Sequence, residues 1–87
     1  MFLVNARQND GIPRIGIAVS RRVSTKAVTR NRIKRQIRES FRLHQAMLHG
    51  LDIVVVAQSA AGAADNAALA RSLIGHWRRL ASGCAKS

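Results

Sequence analysis

The sequence predicts a small α+β fold, a two-layer sandwich with the element order β-β-α-β-α. Three observations predict it. Between Arg14 and Ser20, Ile15, Ile17 and Val19 alternate with Gly16, Ala18 and Ser20, the period of a half-buried strand. From Ile33 to Leu48, residues of one stripe recur at helical spacing. From Asp52 to Gln58 a β-branched run carries apolar residues on both faces and reads as a buried central strand. At 87 residues the chain makes one domain, residues 1–87, around a small core.

Taken in order, Phe2 to Arg7 reads as the first strand. Gln8 to Pro13 holds Asn9-Asp10-Gly11 and then Pro13, a turn signal. Arg14 to Ser20 is the second strand. Its small face, Gly16, Ala18 and Ser20, leaves a shallow floor that a ligand or another backbone can approach, although plain strand alternation accounts for it equally well. Arg21 to Lys26 is a basic connection. The longest helix begins at Ala27 or Val28 and runs to about Leu48, with Ile33, Ile37, Phe41, His44 and Leu48 as its inward stripe. At about 100° per residue, Asn31, Lys34, Arg35, Arg38 and Arg42 fall on the opposite arc; Arg32 lies at its edge and Arg30 near the stripe. Gly50 suits a helix terminus. Ser59 to Ala64 is a loop. Asp65 or Asn66 caps a last helix to about Leu80 that buries Leu69, Leu73, Trp77 and Leu80. Residues 82–87 are expected as a flexible tail.

Charge points to function. Lys and Arg number 15 against 4 acids, a formal charge of +11, and most of the cations are Arg, whose planar fork suits phosphate and base edges. Such a balance fits a polyanion, nucleic acid before an anionic membrane surface. Arg21, Arg22, Lys26, Arg30, Arg32, Lys34, Arg35, Arg38 and Arg42 share residues 21–42 with one acid, Glu39. The field is therefore focused on one helix and the loop leading into it. Solvated helix faces normally intersperse acids; this one holds its charges uncompensated, at a cost in stability that phosphate would relieve.

Other classes are excluded. One cysteine, Cys84, makes no internal disulfide. A hydrophobic content of 47% argues against disorder. No apolar run reaches membrane-spanning length, and Met1 to Arg7 lacks the basic leader and apolar length of a signal peptide, so the expected location is cytoplasmic, with no membrane partner. Between nucleic acids, the arginines spread over too wide an arc for a narrow major-groove reading edge, whereas folded RNA offers phosphates from several directions. Phe2, Phe41 and Trp77 are the only aromatics, too few for a stacking platform. Phe41 and Trp77 fall on apolar stripes, which leaves Phe2 as the aromatic free to face a ligand.

Arg30-Asn31-Arg32-Ile33-Lys34-Arg35-Gln36-Ile37-Arg38-Glu39-Ser40-Phe41-Arg42 resembles the signature of the bacterial ribonuclease P protein component: Arg-Asn-Arg, then Lys-Arg and a further Arg one turn on. Gly16 to Val23 looks like the strand and basic pair before that helix, and Asp52 to Ala57 like the strand after it. The resemblance spans roughly residues 2–80 and is specific. It implies an α+β sandwich of the ribosomal protein S5 domain 2-like kind, with a left-handed β-α-β crossover. It implies a protein subunit of an endoribonuclease that removes the 5′ leader of precursor tRNA. Catalysis there belongs to the catalytic RNA and its Mg2+, with no cofactor held by the protein's side chains. RNA contacts are then expected from Arg30, Arg32, Lys34, Arg35 and Arg38, with Arg21, Arg22 and Lys26 extending the surface. Two roles are open to Asn31, bonding RNA or capping the helix. Phe2, Gly16, Ala18 and Ser20 are expected at the leader cleft. Family members usually begin a helix and a first strand earlier; Met1 here lies almost at the strand of Phe2, so either the sequence is truncated before those elements or this member lacks them, and their absence would uncover apolar sheet surface that favours self-association.

No catalytic or metal-binding constellation stands out in the sequence. His44, His49 and His76 have no Cys or carboxylate at ligand spacing, and Glu39 is placed to pair with Arg35 or Arg42. The alternative to the ribonuclease P reading is a noncatalytic RNA- or ribosome-binding protein using the same helix. A DNA-binding module and a stand-alone protein nuclease fit less well.

Overall fold

The computed structural model describes residues 1–85, with side chains described through residue 82. Its elements are β1 (Phe2–Gln8), β2 (Arg14–Ala18), α1 (Ala27–Leu43), a 3₁₀ turn at Gln45–Leu48, β3 (Leu51–Ala57), a second 3₁₀ turn at Ser59–Ala63, and α2 (Asn66–Ala85). This is the expected α+β order. The sheet runs β1-β3-β2. β3 is central, antiparallel to β1 from Phe2 opposite Ala57 to Gln8 opposite Leu51. It is parallel to β2 from Arg14 beside Asp52 to Ala18 beside Val56.

Register divides the sheet into two faces. Phe2, Ile53, Val55 and Ala57 are buried under the helices, with Val4, Ile15 and Ile17 packed beside them. Ile33, Ile37 and Phe41 of α1 and Leu69, Leu73 and Trp77 of α2 complete this core. Two details make it specific. The Trp77 indole N–H donates to the Ser40 hydroxyl at 2.8 Å, so the buried Ser40 side chain is paired. The Phe41 and Trp77 rings meet edge to face, 6.2 Å apart.

The long helix ends earlier than its stripe predicts. His44 lies at φ −116° and ψ 16°, and its N–H turns to the Phe41 carbonyl. Its ring Nδ1 donates instead to the Ser40 carbonyl at 2.7 Å, the acceptor an α-helix would give to the His44 backbone. The imidazole thus displaces the backbone from its own ladder. The tighter 3₁₀ turn that follows still buries Leu48. Asp65 caps α2, its carboxylate accepting the Ala68 N–H at 2.8 Å. α2 continues to Ala85, so residues 82–85 of the expected tail are helical; residues 86 and 87 lie outside those described.

Between the first two strands, Asn9 fastens the turn. Its side-chain oxygen accepts the Gly11 N–H, and its amide donates to Asp52 Oδ1 at 2.7 Å and to the Ile12 carbonyl. Gly50, at φ +80°, starts the return into β3, exchanging backbone bonds with Asn9 and Gly11.

Candidate nucleic-acid interface

The candidate interface is built on α1 and the loop before it. Lys26 is the N-cap of α1 with no side-chain cap, and the first turn has no acid. Cations therefore gather at the positive end of the helix dipole, the reverse of the arrangement that stabilises an isolated helix. Contacts at Val23 and Ser24 help hold the loop. Val23 is buried in the core. Arg30 Nη1 donates to the Ser24 carbonyl at 2.9 Å, tying the first turn of α1 to the loop. Arg21, Arg22 and Lys26 remain exposed around this bend.

The cations of α1 divide into two groups. Arg30 and Arg32 are half-buried and bonded to protein. Arg32 Nη1 donates to Asn66 Oδ1 at 2.9 Å and its Nη2 to the Ala64 carbonyl at 3.2 Å. Asn31, Lys34, Arg35, Arg38 and Arg42, with Glu39, line a shallow groove of about 380 Å³ along the outer face of the helix. Among the described residues, Arg35 and Arg38 have no hydrogen-bond or ion-pair partner in the protein. Glu39 pairs with Arg42 at 2.5 Å, the only ion pair among the described residues. Asn31 is exposed within the helix, four residues past its start, and does not cap it.

The second expected surface is the open face of the sheet. Register sets Leu3, Val56 and Ala18 in one row, Asn5, Val54 and Gly16 in the next, and Arg7, Asp52 and Arg14 in the third. Leu3 is 51% exposed and Val54 48%, so the floor is partly apolar with a charged end. Gly16, Ala18 and Ser20 are exposed as expected of a floor. Phe2 is a correction. It is 5% exposed and faces the core, because the alternation that turns Leu3 and Asn5 outward turns Phe2 and Val4 under the helices. It is not available to the cleft.

What sequence reasoning missed lies in the backbone. The Ser24 and Ala64 carbonyls that hold Arg30 and Arg32 carry no residue-type signal, and Asn66 was read only as a capping candidate. Among the described residues no group of three or more His, Cys, Asp or Glu is placed to hold a metal ion. His76 accepts a hydrogen bond at Nδ1 from Arg79 at 3.1 Å. Burial first, and the Arg79 charge second, hold its pKa below the usual histidine value. No helix among the described residues is long and apolar enough to cross a membrane.

The profile of the ribonuclease P family matches residues 1–81. The chain belongs to the ribonuclease P protein family. Its relatives include the ribonuclease P protein component of Idiomarina loihiensis, 51% identical over 74 residues, which span 85% of this chain and 59% of the relative. The ribonuclease P protein component of Chromohalobacter salexigens is 50% identical over 80 residues, 91% of this chain and 62% of that one. The chain thus spans about three-fifths of the length of these ribonuclease P proteins. Among solved structures, the RNase P protein of Staphylococcus aureus superposes with a TM-score of 0.80 at 34% identity, covering 92% of this chain and 73% of that one. The RNase P protein of Thermotoga maritima, in complex with 1-(4-fluorophenyl)-2-thiourea, gives 0.80 at 32% identity, covering 90% and 78%. The α+β architecture derived from periodicity is that of the ribonuclease P proteins.

Proposed function

We propose that this chain serves as the protein subunit of ribonuclease P, binding the catalytic RNA and the 5′ leader of precursor tRNA to assist 5′ maturation of tRNA in the cytoplasm. The observation that carries the reading is the unpaired row of Lys34, Arg35 and Arg38 along a rigid helix in a member of this family. A helix fixes the spacing of its guanidinium groups, as phosphates of a folded RNA require. Arg21, Arg22 and Lys26 extend the surface at the bend, where the uncompensated helix terminus adds its positive end. In this reading Arg30 and Arg32 keep some of their five donors for RNA while the rest hold protein carbonyls and Asn66. The sheet floor of Gly16, Ala18 and Ser20 receives the leader, and its apolar rows also favour association of two copies when RNA is absent. Mg2+ is held by the RNA, which carries out the hydrolysis.

The test is reconstitution. The protein is added to ribonuclease P catalytic RNA and precursor tRNA at low Mg2+, and the 5′ cleavage rate is measured. Faster cleavage is expected. RNA binding without faster cleavage would favour the noncatalytic RNA-binding alternative, and no binding at near-physiological salt would end the reading.

A further inference from the structure

Arg32 stands apart from the groove cations because its fork, half-buried, is bonded to the start of α2. Its two terminal nitrogens reach two acceptors, Asn66 Oδ1 at 2.9 Å and the Ala64 carbonyl at 3.2 Å. Both acceptors sit on a rigid support. Asp65, between them, caps α2. The 3₁₀ turn before them is seated so closely that a Cβ on Gly62 would collide with the Val23 carbonyl. The support therefore touches the basic loop at Val23 and the basic helix at Arg32.

Apolar packing of Ile33 and Ile37 fixes how deeply α1 sits, but such contacts are non-directional and tolerate small rotations about the helix axis. A directional hydrogen bond to a second element does not: the Trp77–Ser40 bond supplies one toward the end of α1, and the two-pronged bond of Arg32 supplies one near its start. Asn31, Lys34 and Arg35 flank Arg32 on α1, so the rotation it sets is the rotation of the whole outer arc.

We propose that Asn66 is a positioning residue for RNA binding: it acts through Arg32 to hold the groove of α1 in its binding orientation, without touching RNA. This rests on the RNA-binding reading above. The test is a double-mutant cycle of Asn66→Ala and Arg32→Ala, read as affinity for ribonuclease P catalytic RNA over a salt series, with thermal melting of each variant alongside. Asn66 is exposed, so Asn66→Ala is expected to melt near the wild-type temperature. It is expected to weaken RNA binding roughly three- to ten-fold. It should leave the salt slope unchanged, because the phosphate contacts are displaced in geometry and not in number. In the Arg32→Ala background, Asn66→Ala should have no further effect. Arg32→Met, which keeps the aliphatic stem, replaces Arg32→Ala if that variant fails to fold.

Wild-type affinity in a folded Asn66→Ala protein, or an equal loss in both backgrounds, overturns the proposal while leaving RNA binding intact. A folded wild-type chain that ignores the RNA overturns both.

Discussion

Replacing Arg35 and Arg38 with alanine isolates the electrostatic contribution of the groove. Both side chains line it, three residues apart, and neither has a partner among the described residues. Each phosphate neutralised contributes about 0.7 to 0.9 to the slope of log affinity against log salt. A fourfold rise in salt is then worth roughly a threefold change in dissociation constant per contact, and roughly ninefold for two. The double variant should flatten the slope by about 1.4 to 1.8 and lose most of its affinity difference from wild type at high salt. Folding should not suffer. Alanine is the better helix former, and two like charges leave a crowded face, so the melting temperature should hold or rise. The assay is RNA binding by filter retention or fluorescence anisotropy between about 50 and 200 mM salt, the range over which phosphate contacts are resolved. An unchanged slope in a folded protein would remove both residues from the interface and, with them, the reasoning from unpaired charge.

Other substitutions probe the rest of the molecule. Glu39→Gln removes the acid that neutralises Arg42 in the groove, so RNA should bind more tightly, with the slope steeper by about 0.7 to 0.9 if Arg42 then meets a phosphate; a salt titration reads this directly. Ser40→Ala leaves the Trp77 N–H buried without an acceptor and should cost about 1 to 3 kcal/mol, seen as a lower urea midpoint at constant m-value. His76 is held below its ordinary value of 6.5 in the folded protein, chiefly by burial, so the unfolded chain takes up the proton first as pH falls. Stability contributed by the neutral ring is present above 6.5 and declines between 6.5 and the lower folded value. Thermal melting from pH 7.5 to 5.5 should therefore lose less stability in His76→Gln than in wild type; equal losses would remove His76 as the cause.

Periodicity carried most of the fold. The stripes of α1 and α2 and the β-branched run of β3 are dictated by burial, and burial leaves a pattern along the chain. The end of α1 was not legible in the same way. His44 occupies a position the stripe accepts, and only its ring's bond to the Ser40 carbonyl shows that it terminates the helix. Phe2 was misjudged because an aromatic next to a chain start has no second turn of pattern to fix its face; its pairing with Ala57 does so. In the candidate site, the outer arc of cations followed from angle alone. The split between bonded Arg30 and Arg32 and unpaired Arg35 and Arg38 did not, since it depends on backbone carbonyls from segments up to 32 residues away.

The strand order β1-β3-β2 has a consequence for how the chain comes into being. The two earliest strands never touch as neighbours; each waits for β3, and Phe2 must find Ala57 before the sheet closes. During synthesis the arginine-rich segment thus emerges before β3, with no completed sheet to lean on, and a lone segment of that length and charge is a poor helix in water. The ribosome must release most of the polypeptide before the hydrophobic layer assembles in one cooperative event. That long-range closure makes slow, all-or-none refolding the expected behaviour of the isolated protein.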